Sequence, residues 1–204
     1  MKRRARRLLI LFANTGGGHR SSAYAVAQAA RDRYGEQVQT ELVDALAEYA
    51  PWPLNRLRHI YPYLVCMRGQ PWAVGYRLSD GPWRVALLTR GFWPWVRTAL
   101  GQLFREHPAD VVISCHPLLN HLTQRFVSQT GAETHLITLV TDLATAHTFW
   151  FVPQVARCLV PTKEVRRRAL ASGVPAGRIS VTLSLIHISE PTRPLYISYA
   201  VFCL

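Results

Sequence analysis

The sequence is poor in cysteine and in acidic residues. Its cysteines lack the C-x-x-C spacing of zinc and redox centres, which predicts neither a metal site nor a disulfide framework: Cys66, Cys115, Cys158 and Cys203. A reducing, cytoplasmic compartment fits this cysteine usage. The 204 residues include 12 Asp and Glu against 24 Lys and Arg, a formal net charge of +12. The excess of positive charge predicts anionic partners.

Long apolar runs are also missing. A membrane-spanning helix needs about 18 or more apolar residues, and no stretch of this chain reaches that length. The run from Leu8 to Ala13 is too short for the core of a signal peptide. We therefore expect a cytoplasmic protein that is either soluble or peripheral on the cell membrane.

The most informative segment, residues 14–23, reads NTGGGHRSSA. It follows the predicted strand Arg7–Ala13 and opens a predicted helix, Ser21–Tyr34. A strand, a glycine turn and a helix start bring bare backbone N–H groups and the positive helix end together. Such a turn suits a phosphate or a closely approaching substrate, since glycine admits unusual backbone angles. His19 adds a titratable group at this point.

Two classes of nucleotide-binding loop fit these glycines poorly. A phosphate-loop NTPase needs a lysine after the glycines, and none follows. A dinucleotide fingerprint needs a third, spaced glycine that Gly16, Gly17 and Gly18 do not supply. No zinc-finger, RNP or helix-turn-helix pattern occurs, so no nucleic-acid partner is expected. A basic nucleotide- or nucleic-acid-binding α/β module without catalysis remains the alternative hypothesis.

Apolar runs alternate with helical patterns, which predicts a Rossmann-like α/β domain with a parallel sheet. The predicted strands are Arg7–Ala13, Gln37–Val43, Asp110–Ser114, Thr134–Val140, Arg157–Val160 and Arg178–Val181. The other predicted helices are Val96–Glu106, Leu118–Thr130 and Lys163–Ser172, the last capped by Thr162 and stopped by Gly173. Ligands gather at the carboxyl ends of parallel strands. Residues 14–19, 114–116 and 141–142 should therefore converge.

Residues 48–97 form an aromatic and basic insertion that carries five of the six tryptophans. Its prolines predict short helices and loops. Some of its aromatic residues must pack against the sheet, but rings mixed with arginine also favour a membrane interface or acyl-chain contact. Before the first strand lies a basic arm that is either a solvated terminus or attracted to anionic lipids. The predicted membrane-binding residues are Arg3, Arg4, Arg6, Arg7, Trp83, Trp93 and Trp95.

A further polar group follows the predicted strand that ends at Val140. Asp142 lies at a strand end and His147 five residues later, so the two could pair as an acid/base and the group that orients it. An aspartate and a histidine also occur in such loops as caps or as polar pairs of the core. The spacing alone leaves both interpretations open.

Three motifs together resemble the monogalactosyldiacylglycerol synthases and their bacterial diacylglycerol glucosyltransferase relatives. They are TGGGHRSSA at residues 15–23, DVVISCHP at 110–117 and TDLATAHTFW at 141–150. The resemblance implies the acceptor-binding N-terminal domain of a two-domain GT-B enzyme. Such an enzyme transfers a hexose from a UDP-sugar to diacylglycerol and needs no further cofactor. The donor domain would bind the UDP-sugar, and this chain lacks it and should turn over little alone.

The resemblance also implies roles for individual residues. His19 would be the general base, and Asp142 the second candidate or the orienting group. The implied substrate-binding residues are Gly16, Gly17, Gly18, Arg20, His116, His147 and Trp150. Two departures from the family pattern are the absence of a glycine after Thr182 and of an acidic residue near residues 156–157.

The last segment, residues 183–204, differs in character from the rest. LSLIHISE at 183–190 resembles the translation of a transposase-type sequencing adapter, CTG TCT CTT ATA CAC ATC TCC GAG. We therefore expect the native acceptor domain to cover residues 1–182 and the tail to be non-native. A natural pair of C-terminal strands is the competing interpretation.

Overall fold

The computed structural model of the chain describes residues 4–15, 17–57, 59–60, 70–131 and 133–182. Within these ranges the strands are β1 (Arg6–Phe12), β2 (Val38–Asp44), β3 (Val111–Ser114), β4 (His135–Leu139), β5 (Arg157–Val160) and β6 (Ile179–Val181). The helices are α1 (Gly17–Tyr34), α2 (Ala45–Glu48), α3 (Gln70–Ser79), α4 (Pro82–Glu106), α5 (Pro117–Thr130) and α6 (Lys163–Ala171). Short 3₁₀ turns cover Gly35–Gln37, Leu54–Arg56, Thr148–Trp150 and Ala176–Arg178. The adapter-like tail lies outside the described residues.

The strands form one parallel sheet in the order β2-β1-β3-β4-β5-β6. Each predicted strand is present, with ends within one residue of the prediction. The chain order reverses between β1 and β3, where open α/β sheets leave a crevice for ligands. The predicted Rossmann-like α/β class is therefore confirmed.

Side chains of β1 alternate between the two faces of the sheet, as the strand period requires. Leu9 and Leu11 belong to a core that includes Leu103 of α4. Ile10 and Phe12 belong to a second core, on the face that α1 covers. Helices therefore pack on both sides of β1, and its carboxyl end is fixed from both directions.

Helix α1 begins at Gly17, four residues before the predicted start at Ser21. Gly17 and Gly18 thus belong to the first helical turn, and the prediction of a glycine turn that precedes the helix is wrong at these two positions. The first four N–H groups of a helix have no partner within it, so this turn still presents open donors. No acidic residue lies in the first turn to neutralise its positive end.

The prolines of residues 48–97 do not all break helices as predicted. Pro82 starts α4, where a missing N–H is tolerated, and Pro94 lies inside that 25-residue helix. An internal proline costs about 3 kcal/mol. Burial of Val85, Val96 and other residues of α4 offsets this cost, because each buried aliphatic side chain contributes about 1.5–3 kcal/mol.

The predicted start of the last helix and its two flanking residues are correct, and the helix ends at Ala171, one residue before the predicted end at Ser172. The Thr162 hydroxyl accepts a hydrogen bond from the Val165 N–H, with a distance of 3.2 Å between Oγ1 and N. Gly173 follows the helix with φ at +89°, a conformation that favours glycine. The two residues confine α6 to Lys163–Ala171.

Candidate functional site

The three segments that follow β1, β3 and β4 meet at one edge of the sheet, as predicted. The Thr15 hydroxyl oxygen lies 2.9 Å from Nε2 of His116. The Thr141 hydroxyl oxygen lies 3.0 Å from Nδ1 of His19. The rings of His19 and His116 pack edge to face, with centroids 4.8 Å apart. A cluster of imidazoles and hydroxyls therefore occupies the point where the strand order reverses.

His19 is partly buried in the first turn of α1. Burial lowers the pKa of His19 below its usual value, and the negative charge of Asp142 and the backbone of Cys115 offset only part of this shift. The imidazole is consequently neutral at pH 7. A neutral imidazole fixed by Thr141 has the protonation state that a general base needs.

His116 lies deeper than His19, with only 4% of its surface exposed. Burial, together with the nearby His19, lowers the pKa of His116 well below its usual value. Its Nδ1 is buried and has no hydrogen-bond partner among the described residues. His116 therefore contributes a neutral ring against which His19 packs.

Asp142 and Trp150 are joined by a hydrogen bond. The indole Nε1–H of Trp150 donates to Oδ2 of Asp142 over 2.7 Å. The indole is fully buried, and its ring centroid lies 5.8 Å from that of His19. Trp150 thus links the carboxylate of Asp142 to the imidazole of His19, and its described contacts are packing and hydrogen bonding within the protein.

Gly18, in the first turn of α1, has open space where a side chain would stand. Apart from chain neighbours and the helix backbone, no described atom lies within 4 Å of the point where a Cβ on Gly18 would stand. Arg20 is exposed, with its guanidinium 5.5 Å from the ring centroid of Tyr24. Gly16 lies outside the described residues. The open approach to Gly18 is compatible with a ligand at the helix end.

His147 faces away from this cluster, towards helix α3. Its Nδ1 accepts a hydrogen bond from the Phe149 N–H, and its Nε2 lies 3.2 Å from the carbonyl oxygen of Tyr76 and 3.1 Å from the Ser79 hydroxyl. Burial lowers the pKa of His147, against the opposing charge of Asp80. Its described contacts therefore join the 141–150 loop to the aromatic insertion.

Sequence reasoning missed Asp80, which lies at the turn between α3 and α4. Its carboxylate accepts hydrogen bonds from Thr148 and Arg168. A signal was present in the sequence, since Asp80 is the sole acidic residue between Glu48 and Glu106. A single carboxylate in a basic segment indicates a specific partner.

The predicted membrane-binding residues lie in different surroundings. Trp83 and Trp95 expose 67% and 61% of their surfaces, whereas Trp93 is half-buried with the Arg125 guanidinium 4.7 Å from its ring centroid. Arg7 belongs to β1 as predicted, and Arg6, which was expected in the arm before the strand, belongs to β1 as well. Arg4 lies 3.5 Å from the carboxylate of Asp110. Arg3 lies outside the described residues.

Two further features of the described part of the chain concern membrane crossing and metal binding. None of its helices is long and apolar enough to cross a membrane. In the same ranges, no group of three or more His, Cys, Asp or Glu side chains is arranged to hold a metal ion. The two cysteines that fall in these ranges, Cys115 and Cys158, are free and buried.

A parallel sheet with a polar cluster at its switch point defines a Rossmann-like α/β domain. The family model described as Monogalactosyldiacylglycerol (MGDG) synthase matches residues 19–182. The chain belongs to the MGDG synthase family, as its three motifs predicted. This membership does not favour the alternative of a non-catalytic nucleotide- or nucleic-acid-binding module.

Curated relatives include plant enzymes. The chain is 32% identical over 199 residues to the probable monogalactosyldiacylglycerol synthase, chloroplastic, of Nicotiana tabacum, which covers 94% of this chain and 35% of the relative. It is 31% identical to monogalactosyldiacylglycerol synthase 1, chloroplastic, of Arabidopsis thaliana, with 95% and 36% covered. It is 33% identical to the Spinacia oleracea synthase, with 94% and 36% covered. The chain thus spans about a third of the length of these relatives.

Among solved structures, the apo form of the lipopolysaccharide outer core galactosyltransferase WaaB is similar at a TM-score of 0.46 and 12% identity. The similarity covers 87% of this chain and 45% of that one.

Proposed function

We propose that this chain is the acceptor-binding N-terminal half of a GT-B glycosyltransferase that transfers a hexose from a UDP-sugar to diacylglycerol. The observation that carries the proposal is the convergence of His19 with Thr141 and Asp142 in a member of the MGDG synthase family. The UDP-sugar is assigned to a C-terminal donor domain. The reaction requires no resident cofactor, since the sugar donor is itself a substrate.

The chemistry follows from the weak acidity of an alcohol, which needs a base to become a good nucleophile. The His19 nitrogen that Thr141 does not hold takes the proton from the diacylglycerol hydroxyl. The oxygen then forms a bond to C1 of the hexose, and the bond from C1 to the UDP oxygen breaks, so that UDP leaves with the electron pair. Asp142 stabilises the imidazolium that forms at His19.

The amino end of α1 suits the leaving group. The N–H groups of Gly17 and Gly18 are in the first turn of an 18-residue helix whose first turn carries no carboxylate. Such a helix end stabilises the negative charge that develops on a diphosphate. Arg20 is proposed to line the same side of the site, and His116 the side of the acceptor.

An apolar cavity of about 60 Å³ lies between α4, α5 and the segment that follows β2. Leu46, Phe92, Leu100 and Phe149 are among its lining residues. The ring of Phe149 stacks on that of His147, with centroids 5.2 Å apart. Its apolar walls suit a hydrocarbon, but ligand pockets usually measure about 300–1,000 Å³, so this cavity admits only a short part of an acyl chain.

The exposed surface of α3 and α4 supports a peripheral position on an anionic membrane. Leu78, Trp83, Leu87 and Trp95 all expose more than 60% of their surfaces. The guanidinium of Arg84 lies 5.2 Å from the ring centroid of Trp83. Aromatic rings beside arginine suit the headgroup level of a bilayer. We place the protein at the cytoplasmic face of the cell membrane, where anionic lipids attract basic surfaces.

The proposed function is tested in a full-length protein that carries the proposed donor domain. The family match ends at residue 182, whereas the matches to the plant relatives cover 94% and 95% of the chain and therefore continue past that residue. The adapter origin of residues 183–204 stays a proposal that rests on the likeness of LSLIHISE to the translated adapter. Resequencing of the locus should recover a second α/β domain. The full-length protein should then transfer sugar from UDP-glucose or UDP-galactose to diacylglycerol in vesicles, and the 204-residue chain should not. A folded full-length protein that uses neither donor would contradict the proposal.

Membrane binding is tested by flotation of the 204-residue chain with phosphatidylcholine vesicles that contain phosphatidylserine. We expect the double variant Trp83→Ala/Trp95→Ala to bind at least tenfold more weakly, because two exposed aromatic anchors are lost.

The basic residues before and at the start of β1 are tested in the same assay. Each basic residue near the surface adds about 1 kcal/mol to the free energy of membrane binding. Substitution of Arg4, Arg6 and Arg7 with Gln is preferable to truncation, which would remove the start of β1. If the Gln variants bound vesicles as well as the wild-type chain does, these arginines would be solvated surface residues without a role in lipid binding.

A further inference from the structure

Asp80 stands alone in a basic segment. Between Glu48 and Glu106 it is the sole acidic residue, whereas this stretch contains eight arginines: Arg56, Arg58, Arg68, Arg77, Arg84, Arg90, Arg97 and Arg105. Its carboxylate is bound elsewhere, by residues that follow β4 and β5. The one negative charge of the segment is thus used to hold a distant part of the fold.

The carboxylate of Asp80 is shared between two elements. Oδ1 accepts hydrogen bonds from the N–H and the hydroxyl of Thr148, at 2.9 Å and 2.6 Å. Oδ2 lies 2.9 Å from Nη2 of Arg168 on α6. Burial acts to raise the pKa of Asp80, but the hydrogen bonds from Thr148 and Arg168 outweigh it and the pKa is lowered. Asp80 is therefore ionised at neutral pH.

Two further contacts reinforce this junction from α3. The Tyr76 hydroxyl donates to the carbonyl oxygen of Thr145. The Ser79 hydroxyl lies 3.1 Å from Nε2 of His147. The turn itself is allowed by Gly81, whose φ of +129° other residues rarely adopt. The end of α3 and the turn after it consequently hold residues 145–148 at several points.

The same loop leads directly to His19. The Trp150 N–H donates to the carbonyl oxygen of His147 over 3.0 Å, and the Trp150 indole donates to Asp142. The indole ring lies against the ring of His19, and the negative charge of Asp142 acts to raise the pKa of His19. The turn that contains Thr148 is therefore connected through Trp150 to the imidazole of His19.

We propose that Asp80 is a positioning residue: its carboxylate fixes Thr148 and thereby couples the exposed aromatic surface of α3 and α4 to the geometry around His19. The inference rests on the proposed function for its catalytic consequence. Contact of Trp83 with a lipid surface would restrain α4 at the residue that follows Pro82, three positions from Asp80. The 141–150 loop would then be most strongly restrained when the domain is bound to a membrane.

The test compares Asp80→Asn with a matched control, Asp32→Asn. Both variants remove one negative charge, but Asp32 is exposed on α1, where it accepts a hydrogen bond from Gln28. Hydrogen–deuterium exchange of the 204-residue chain is measured with and without phosphatidylserine-containing vesicles. In the wild-type chain and in Asp32→Asn, vesicles should slow exchange at residues 145–150. In Asp80→Asn these amides should exchange about tenfold faster, with no slowing by vesicles.

Vesicle flotation and steady-state kinetics supply the second set of measurements. Asp80→Asn should bind vesicles as the wild type does, and in the full-length protein its kcat should fall about tenfold with an unchanged KM for diacylglycerol. The coupling would be overturned if residues 145–150 of Asp80→Asn exchanged at the wild-type rate. It would also be overturned if vesicles slowed exchange in Asp80→Asn as much as in the wild-type chain. A wild-type enzyme without transferase activity would instead refute the proposed function, and the exchange result would still decide the role of Asp80.

Discussion

Replacement of His19 with alanine in the full-length protein should lower the rate of sugar transfer about 10²- to 10⁴-fold, the usual contribution of a general base. The pKa of His19 is lowered by burial, so the wild-type ring is already unprotonated at pH 7 and can accept the hydroxyl proton. The thermal midpoint should also fall, because the ring packs against His116 and Trp150 although it belongs to neither apolar core.

Two further variants separate proton transfer from packing. His19→Asn retains a polar atom for the Thr141 hydroxyl but cannot take up a proton near neutral pH, so it should be as inactive as His19→Ala. His135→Ala is the matched control, since His135 is exposed at the amino end of β4, away from the strand ends that form the site. Full activity in His19→Asn would remove His19 from the role of base.

Substitution of Asp142 with alanine should have the second-largest effect, about a 10²-fold loss of rate from misplacement of the catalytic groups. The change leaves the buried indole N–H of Trp150 without its acceptor. A buried donor without a partner costs about 1–3 kcal/mol. Urea unfolding of the variant should show a loss of stability of this size, and steady-state assays should show the loss of rate.

Asp142→Asn isolates the charge, since its amide oxygen can still accept from Trp150. In the wild type, transfer should decline as the pH falls through the lowered pKa of His19, because the ring then becomes protonated. Asp142 raises that pKa, so removal of its charge lowers the pKa further. The acid limb of the pH–rate profile should therefore move to lower pH. A limb that stays in place would show that Asp142 does not act on the ionising base.

The sheet could be predicted from the sequence because its signal is local. Each buried strand is a short apolar run between polar turns, and β5 falls on residues 157–160 as predicted. The start of α1 and the length of α4 could not be predicted. Gly17, Gly18 and Pro94 oppose helix by intrinsic preference, and burial on the sheet overrides that preference in α4.

The location of the candidate site could be predicted from the sequence, but only some of the contacts within it could. Strand ends on one edge predicted that His19, His116 and Thr141 would meet, and they do. The direction that His147 faces depends on α3, and no local pattern encodes that packing. Asp80 was missed for the same reason, since its partners lie 68 and 88 residues away along the chain.

The hydrogen bond between Thr141 and His19 spans 122 positions, and that between Thr15 and His116 spans 101. No short peptide of this protein can orient the imidazole in this way, since the groups that contact it are brought close only when β3 docks beside β1 and β4 docks beside β3. Contacts so distant along a chain form late and slowly during folding. The proposed transferase activity should therefore require completed tertiary assembly, and it should disappear in partly folded states that retain most of their helices.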